Sequence, residues 1–328
     1  MPRAAIAGTG MYVPERVVPN SFFDQLYGRD ISSFLVEKRN IRERRWMADD
    51  QATSDLAVPA ARQALDAAGV RAADLDLIVV STDTPDQLSP STAAVLAHKL
   101  GAVGAGTFDV NTACAGFVTA LDIASKYIAT DARYQRVLVV GAYAMSKWLN
   151  LEDYKIATLF ADGASAVVLR PAETGGVLAS QLWTDPQYHD HMGIYAGGSR
   201  LPIDHGVLDR KEHLLSFPKR IPPETNGIHW PRLARELLGR IGRRPDEVRH
   251  WFLTQFNLAS IQETLDALGV PHDRAPLVMD RYGYTGSASI GMCIADAAAH
   301  GKLAPGDLCV LIGSGGGMSM ATLALEWV

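Results

Sequence analysis

The chain is 328 residues long, with 31 Lys and Arg against 36 Asp and Glu and a formal net charge of −5. That length allows two domains of roughly 150 residues or one duplicated fold, and the acidic balance leaves no footprint for nucleic acid. With 48% hydrophobic residues but no apolar run near the roughly 18 residues of a spanning helix, the composition excludes an integral helical membrane protein. The N-terminal segment carries one basic residue and too short an apolar stretch for a secretory leader, so a cytoplasmic protein is expected.

In chain order, helical periodicity covers Ser54–Ala68, followed by a Val/Ile-rich run at Leu77–Val80. A helix at Ser91–Leu100, a helix from about Cys114 to Ala129, and apolar runs at Val137–Val140 and Ala164–Leu169 come next. The second part repeats the theme with Trp251–Leu253, Leu258–Leu268, Ser287–His300 and Leu308–Ile312. Runs of this kind read as strands buried on both faces, and their alternation with helices defines an α/β class. The strands ending at Val80 and Gly141 recur about 172 residues later, at Leu253 and Gly313, so one α/β unit is duplicated. Cys114 then corresponds to the Gly286/Ser287 turn. The expected division is an N-terminal half (1–171), an inserted loop-rich lid segment (172–244) rich in Pro, Gly, His and Arg, and a C-terminal half (245–328).

The three cysteines, at 114, 293 and 309, lack the spacing of a disulfide framework or a zinc–thiolate site. Cys293 falls within a helix and Cys309 within a strand, where a small core thiol is the expected role. Cys114 differs, since Asn111-Thr-Ala-Cys-Ala-Gly116 passes from a strand-like run through small residues into a helix. A helix N-terminus favours thiolate and offers backbone N–H groups to an oxyanion, so Cys114 is either a nucleophile or a small buried thiol. His189-Asp-His191 has metal-like chemistry without a third ligand, and no metal is expected. His205, His213 and His229 share the insertion and are expected to be structural or exposed, with one able to reach a site as substitute base, while His250 is expected at the surface.

The chain resembles the ketoacyl-ACP synthase III group of the thiolase superfamily. The resemblance rests on Ile41-Arg-Glu-Arg-Arg-Trp46, Pro85-Asp86 with Pro90-Ser-Thr92, Asn111 to Gly116, Phe160-Ala-Asp-Gly163, Arg281 to Ser289 and Gly315-Gly-Gly317, in the family's order. It implies a duplicated five-layer αβαβα thiolase-like fold, a homodimer, no permanently bound cofactor, and an acyl thioester of CoA or acyl carrier protein as substrate. By resemblance Cys114 is the nucleophile, Gly316 completes an oxyanion hole with the Cys114 N–H, and Asn257 contacts the pantetheine arm. Lys38, Arg39, Arg42, Arg44 and Arg45 form a basic cluster that is either a solvated face or the seat of CoA or carrier contacts. Phe34 stands where a Trp often stacks on adenine, and Lys38 and Tyr154 where arginines are usual, which tilts the donor toward a carrier protein.

The departures matter as much. The family pairs its cysteine with the His of Pro-His-Gln-Ala-Asn and the Asn of Tyr-Gly-Asn-Thr, where this chain has Leu253-Thr-Gln-Phe-Asn257 and Tyr282-Gly-Tyr-Thr285. Thr254 or Gln255 takes the His position and Tyr284 the Asn position. Without the usual pair, the resting thiolate is expected to depend on the helix dipole, worth roughly 0.3–1 kcal/mol, and acylation to be slow. One reading is an acyltransferase of specialised metabolism that passes the acyl group from Cys114 to a second acceptor, with Tyr284, Thr254 and Gln255 positioning it. Another is decarboxylative C–C condensation with Tyr284 and Gln255 replacing the missing donors. A third is a non-catalytic partner subunit of a ketosynthase.

Overall fold

The computed structural model describes residues 1–328. Strands are β1 (Arg3–Tyr12), β2 (Arg16–Pro19), β3 (Glu43–Trp46), β4 (Leu77–Ser81), β5 (Gly106–Val110), β6 (Val137–Ala144), β7 (Asp162–Ala172), β8 (Gly176–Thr184), β9 (His250–Leu253), β10 (Leu308–Gly315) and β11 (Ser319–Glu326). The main helices are α1 (Asn20–Tyr27), α2 (Thr53–Ala68), α3 (Thr92–Leu100), α4 (Gly116–Thr130), α5 (Thr225–Arg240), α6 (Leu258–Leu268) and α7 (Ser289–Ala299).

Alternation along the buried strands builds the layers. In the first sheet, ordered β1-β7-β6-β4-β5, Leu77 and Val79 join a central core with α4 and α7, while Ile78 and Val80 face outward onto α2 and α3. In the second, ordered β8-β11-β10-β9, Cys309 and Leu311 share that central core, while Val310 and Ile312 pack outward with Trp230 of α5 and Leu265 of α6. The result is helices, sheet, paired central helices, sheet, helices, the αβαβα order of a thiolase-like fold. Elements starting at 53, 77, 116 and 137 have counterparts at 225, 250, 289 and 308, offsets of 171 to 173 residues.

Two differences from the sequence reading have physical causes. Segment 172–244 is not all loop: β8 forms the edge of the second sheet beside β11, and the 16-residue α5 buries Trp230, Leu233, Ala234, Leu237 and Leu238 against it. Only about 185–224 lacks long elements. The second half also lacks a counterpart to β5. After β9 the Gln255 side chain donates to the Leu253 and Pro276 carbonyls (3.0 and 3.4 Å) and accepts from the Val278 N–H (3.1 Å). It thereby occupies the backbone groups an added strand would use.

Candidate active site

The nucleophile candidate sits on a tight elbow. After β5, Ala113 adopts φ +46°, a left-handed conformation that costs a non-glycine residue roughly 1–2 kcal/mol, and Cys114 follows at the tip, two residues before α4 begins. Its pseudo-symmetric mate, Gly286, has φ +43°. Glycine is required there because a Cβ would meet the Tyr143 ring at 2.3 Å. The turn after β10 closes the other side: a Cβ on Gly315 would lie 2.5 Å from the Cys114 nitrogen, so a side chain at that position would fill the space beside the Cys114 N–H.

Cys114 opens onto a cavity of about 770 Å³, within the roughly 300–1,000 Å³ usual for small-molecule sites. Near the sulfur its wall includes Tyr284, Thr254, Phe256 and Ser314, and its cationic members are Arg39, Lys155, Lys219 and Arg220. No histidine lines it. His205, His213 and His229 of segment 172–244 therefore supply no substitute base. His250, expected at the surface, is buried, with Nε2 3.3 Å from Asp307 Oδ2. His189 lies against the Pro186 carbonyl and His191 against Asp190, which also holds Lys219 at 2.5 Å.

The structure separates the candidates named from sequence. Tyr284 is buried with its hydroxyl beside Cys114, where it favours the thiolate, and its ring packs on Phe160 and Phe256. Thr254 reaches the cavity, but its hydroxyl accepts from the Ser314 N–H (2.9 Å) and faces the Ile312 carbonyl, so it pins β9 to the glycine turn. Gln255 does not reach the cavity; strand alternation turns it to the opposite side, where the three backbone bonds above hold it. Asn257 lines the cavity and also caps α6, accepting from the Ala259 N–H (3.3 Å). Gly316 follows Gly315, which is the glycine in closest approach to the Cys114 nitrogen.

The basic cluster divides. Arg39 lines the cavity between the Phe34 and Phe256 rings, whereas Lys38 and Arg42 are exposed and outside the lining, as is Phe34 itself. Arg44 is buried, bonded to Asn20 and the Val18 carbonyl over the Phe23 ring, and burial lowers its pKa to about 9. Tyr154 does not line the cavity; its ring lies beneath the Arg29 guanidinium at 3.8 Å, and its neighbour Lys155 points into the lining instead.

Electrostatics overturn the expected dipole-stabilised thiolate. Burial, reinforced by the negative charge of Asp83, pushes the Cys114 thiol well above its ordinary range, with the Tyr284 hydrogen bond pulling the other way. The dipole's roughly 0.3–1 kcal/mol is worth less than one pH unit, so the resting sulfur is a neutral thiol. Asp83 was not singled out by sequence. It sits in the loop after β4 with Oδ1 fully buried and without a hydrogen-bond partner, and burial raises its carboxyl to about 6. Nothing in Ser81-Thr-Asp-Thr-Pro85 marks it; its neighbours Cys114, Tyr143 and Tyr284 come from distant parts of the chain.

A duplicated thiolase-like fold with a cysteine on an elbow in the lining of a cavity defines a class of acyl-transferring enzymes. Residues 108–186 match the family model for 3-oxoacyl-[acyl-carrier-protein] synthase III, and residues 238–327 match the model for its C-terminal part. The acetoacetyl CoA synthase NphT7 of Streptomyces sp. (strain CL190) is 39% identical over 328 residues, covering 99% of each chain. The 3-oxoacyl-(acyl carrier protein) synthase III of Pseudomonas aeruginosa PAO1 superposes with a TM-score of 0.90 at 29% identity, over 99% of this chain and 98% of that one. The priming β-ketosynthase of a polyketide biosynthetic pathway does so with a TM-score of 0.89, also at 29% identity, over 99% and 96%. The chain belongs to the 3-oxoacyl-[acyl-carrier-protein] synthase III family and is a ketosynthase III-like acyltransferase.

Proposed function

We propose that the enzyme accepts an acyl group from a CoA or carrier-protein thioester onto Cys114 and passes it to a preformed second nucleophile, in specialised metabolism. One observation carries this: the positions that should steady an enolate are otherwise engaged. The Thr254 hydroxyl is bonded to backbone, the Tyr284 hydroxyl favours the charge on the sulfur, and the charged group acting on both Cys114 and Tyr284 is the Asp83 carboxylate. Decarboxylation of a malonyl thioester needs donors aimed at a developing oxyanion, and a neighbouring anion opposes that charge. Transfer to a preformed nucleophile needs only the thioester oxyanion, for which the Cys114 N–H and the Gly315–Gly316 turn are the supporting groups.

Arg39, Lys155 and Arg220 on the cavity wall suit the phosphates of CoA or of a phosphopantetheine arm, with Asn257 along the arm. The likeness to a polyketide priming ketosynthase supports a specialised pathway. The half-exposed β5, paired only with β4 at the edge of its sheet, supports a homodimer formed across that edge. A second reading, decarboxylative condensation, is favoured by the names of the relatives, an acetoacetyl CoA synthase and 3-oxoacyl synthases. Incubating the acylated enzyme with malonyl-CoA and trapping CO₂ separates the two. No release above the Cys114→Ala control is expected, and stoichiometric release coupled to a 3-oxoacyl product would establish condensation instead.

A further inference from the structure

The four cations on the cavity wall are not equivalent. Arg39, Lys155 and Arg220 form no ion pair, whereas Lys219 Nζ is held by Asp190 Oδ2 at 2.5 Å. This pair joins two stretches of the connection between β8 and α5. The first leaves β8 with the Asp185 N–H donating to the Met318 carbonyl (3.1 Å), and the second leaves buried Leu215, whose N–H donates to the Trp148 carbonyl (2.8 Å). Beyond those anchors, three bonds join the stretches: the ion pair and the reciprocal backbone bonds of Gly193 and Ser216 (3.1 and 3.0 Å). No residue from Asp185 to Tyr195, or from Ser216 to Glu224, is fully buried. Stretches with so little apolar burial open locally at small cost. Two residues past Asp190, Met192 lines the cavity over the glycine turn, where a Cβ on Gly316 would lie 3.2 Å from the Met192 carbonyl oxygen and 3.3 Å from its Cε. The first stretch therefore bears on a wall cation through Asp190 and on the turn beside the nucleophile through Met192.

We propose that the Asp190–Lys219 pair is a clasp on the cavity roof that the phosphate of an incoming donor releases. The phosphate takes Lys219 from Asp190, the stretch from Asp185 to Gly193 loosens, and Met192 moves off the Gly315–Gly316 turn to make room for the thioester at Cys114. The inference deepens the reading above and rests on its phosphate-bearing donor. The three unpaired cations of the wall draw an anion to the cavity, and a phosphate offers Lys219 stronger charge-assisted bonds than one carboxylate oxygen does. Because Lys219 is free only when the clasp is open, the phosphate binds the open form better and shifts the equilibrium toward it. Until then Cys114 stays covered, at 3% exposure. The side chains of the pair are 56% and 30% exposed, so the clasp biases the roof rather than locking it, by about two- to fivefold.

Amide hydrogen exchange read by mass spectrometry on the full chain tests the clasp without any acyl transfer, which keeps it apart from the acyl-enzyme reading. Wild type, D190N and K219M are compared alone, with pantetheine, and with 4′-phosphopantetheine, the arm common to CoA and carrier proteins. In wild type, peptides covering Gly193 and Ser216 should exchange about two- to fivefold faster with 4′-phosphopantetheine than with pantetheine. D190N and K219M should exchange at the faster rate without ligand and gain nothing from the phosphate. A wild-type rate that does not distinguish the two ligands overturns the proposal, as does a ligand-free D190N rate equal to wild type. Acylation supplies a second readout: D190N should gain by the same factor with an N-acetylcysteamine thioester, which lacks phosphate, and not with the matching acyl-CoA. An equal change with both donors overturns the proposal. If neither variant folds, raising salt from about 0.05 to 0.5 M should speed exchange of the same wild-type peptides, and an unchanged rate overturns it. Failure of wild type to acylate with any donor refutes the acyl-enzyme reading instead, and the exchange result then decides the clasp by itself.

Discussion

Replacing Tyr284 by Phe removes one oxygen from the centre of the site and tests the hydroxyl that favours the Cys114 thiolate. Tyr284 and Cys114 are both buried, and the Tyr284 hydroxyl is the side-chain group that favours the Cys114 thiolate against burial and the Asp83 charge. A hydrogen bond to a charged group contributes about 1.5–3 kcal/mol, and each 1.36 kcal/mol is tenfold, so Y284F should acylate about 10- to 150-fold more slowly than wild type. The ring's packing on Phe160 and Phe256 survives the change, so the melting temperature should move little. The assay is time-resolved intact mass after mixing with a thioester donor, with iodoacetamide alkylation as a second reading on the same thiol, and both rates should fall. An unchanged or faster acylation rate in a folded Y284F would refute the assignment of this hydroxyl to thiolate stabilisation.

Four further outcomes follow from the same geometry. Gly315→Ala places a Cβ 2.5 Å from the Cys114 nitrogen, so acylation should drop at least 100-fold, read by the same mass assay; activity within a few-fold of wild type contradicts the close approach. Gln255→Ala leaves the Val278 N–H and two carbonyls without their side-chain partner and should destabilise by about 2–4 kcal/mol in urea melts, while the acylation rate per folded molecule stays near wild type. Asp83 ionises near 6 when folded against about 4 unfolded, so the folded state holds the extra proton between those values and stability declines as pH rises from 4 to 6. Asp83→Asn should therefore melt several degrees higher than wild type at pH 8, a gain on the order of 2 kcal/mol that shrinks toward pH 5; no gain at pH 8 contradicts the buried charge. With its thiol pushed upward, Cys114 alkylation should still be climbing at pH 10, and a plateau below pH 9 contradicts the burial argument.

Strands with both faces buried announced themselves as Val/Ile/Leu runs, and β4, β6, β7, β9 and β10 lie where those runs placed them. The duplication followed from the spacing of the same runs. Helix α5 was obscured because Gly227, His229 and Pro231 read as breakers, although Trp230, Leu233, Ala234, Leu237 and Leu238 keep helical spacing and bury one face. At the site, Cys114 was legible from its small-residue turn and its family resemblance. Thr254 and Gln255 could not be ranked by either, and strand alternation resolved them by turning one to the cavity and the other toward Pro276. Lys155 and Arg220 were missed because a loop decides which cations reach a cavity wall, and charge in a sequence does not report that. Asp83 was invisible for a deeper reason, since its meaning comes from groups at 114, 143 and 284 that only the fold assembles.

The most direct test of the account is intact-protein mass spectrometry after incubation with a panel of acyl-CoAs and acyl carrier proteins, with Cys114→Ala alongside. The account predicts a mass gain equal to one acyl group for at least one donor in wild type and none in the variant. An adduct that persists in Cys114→Ala would contradict the assignment of the nucleophile, and no adduct with any donor would move the chain to the role of a non-acylating partner subunit.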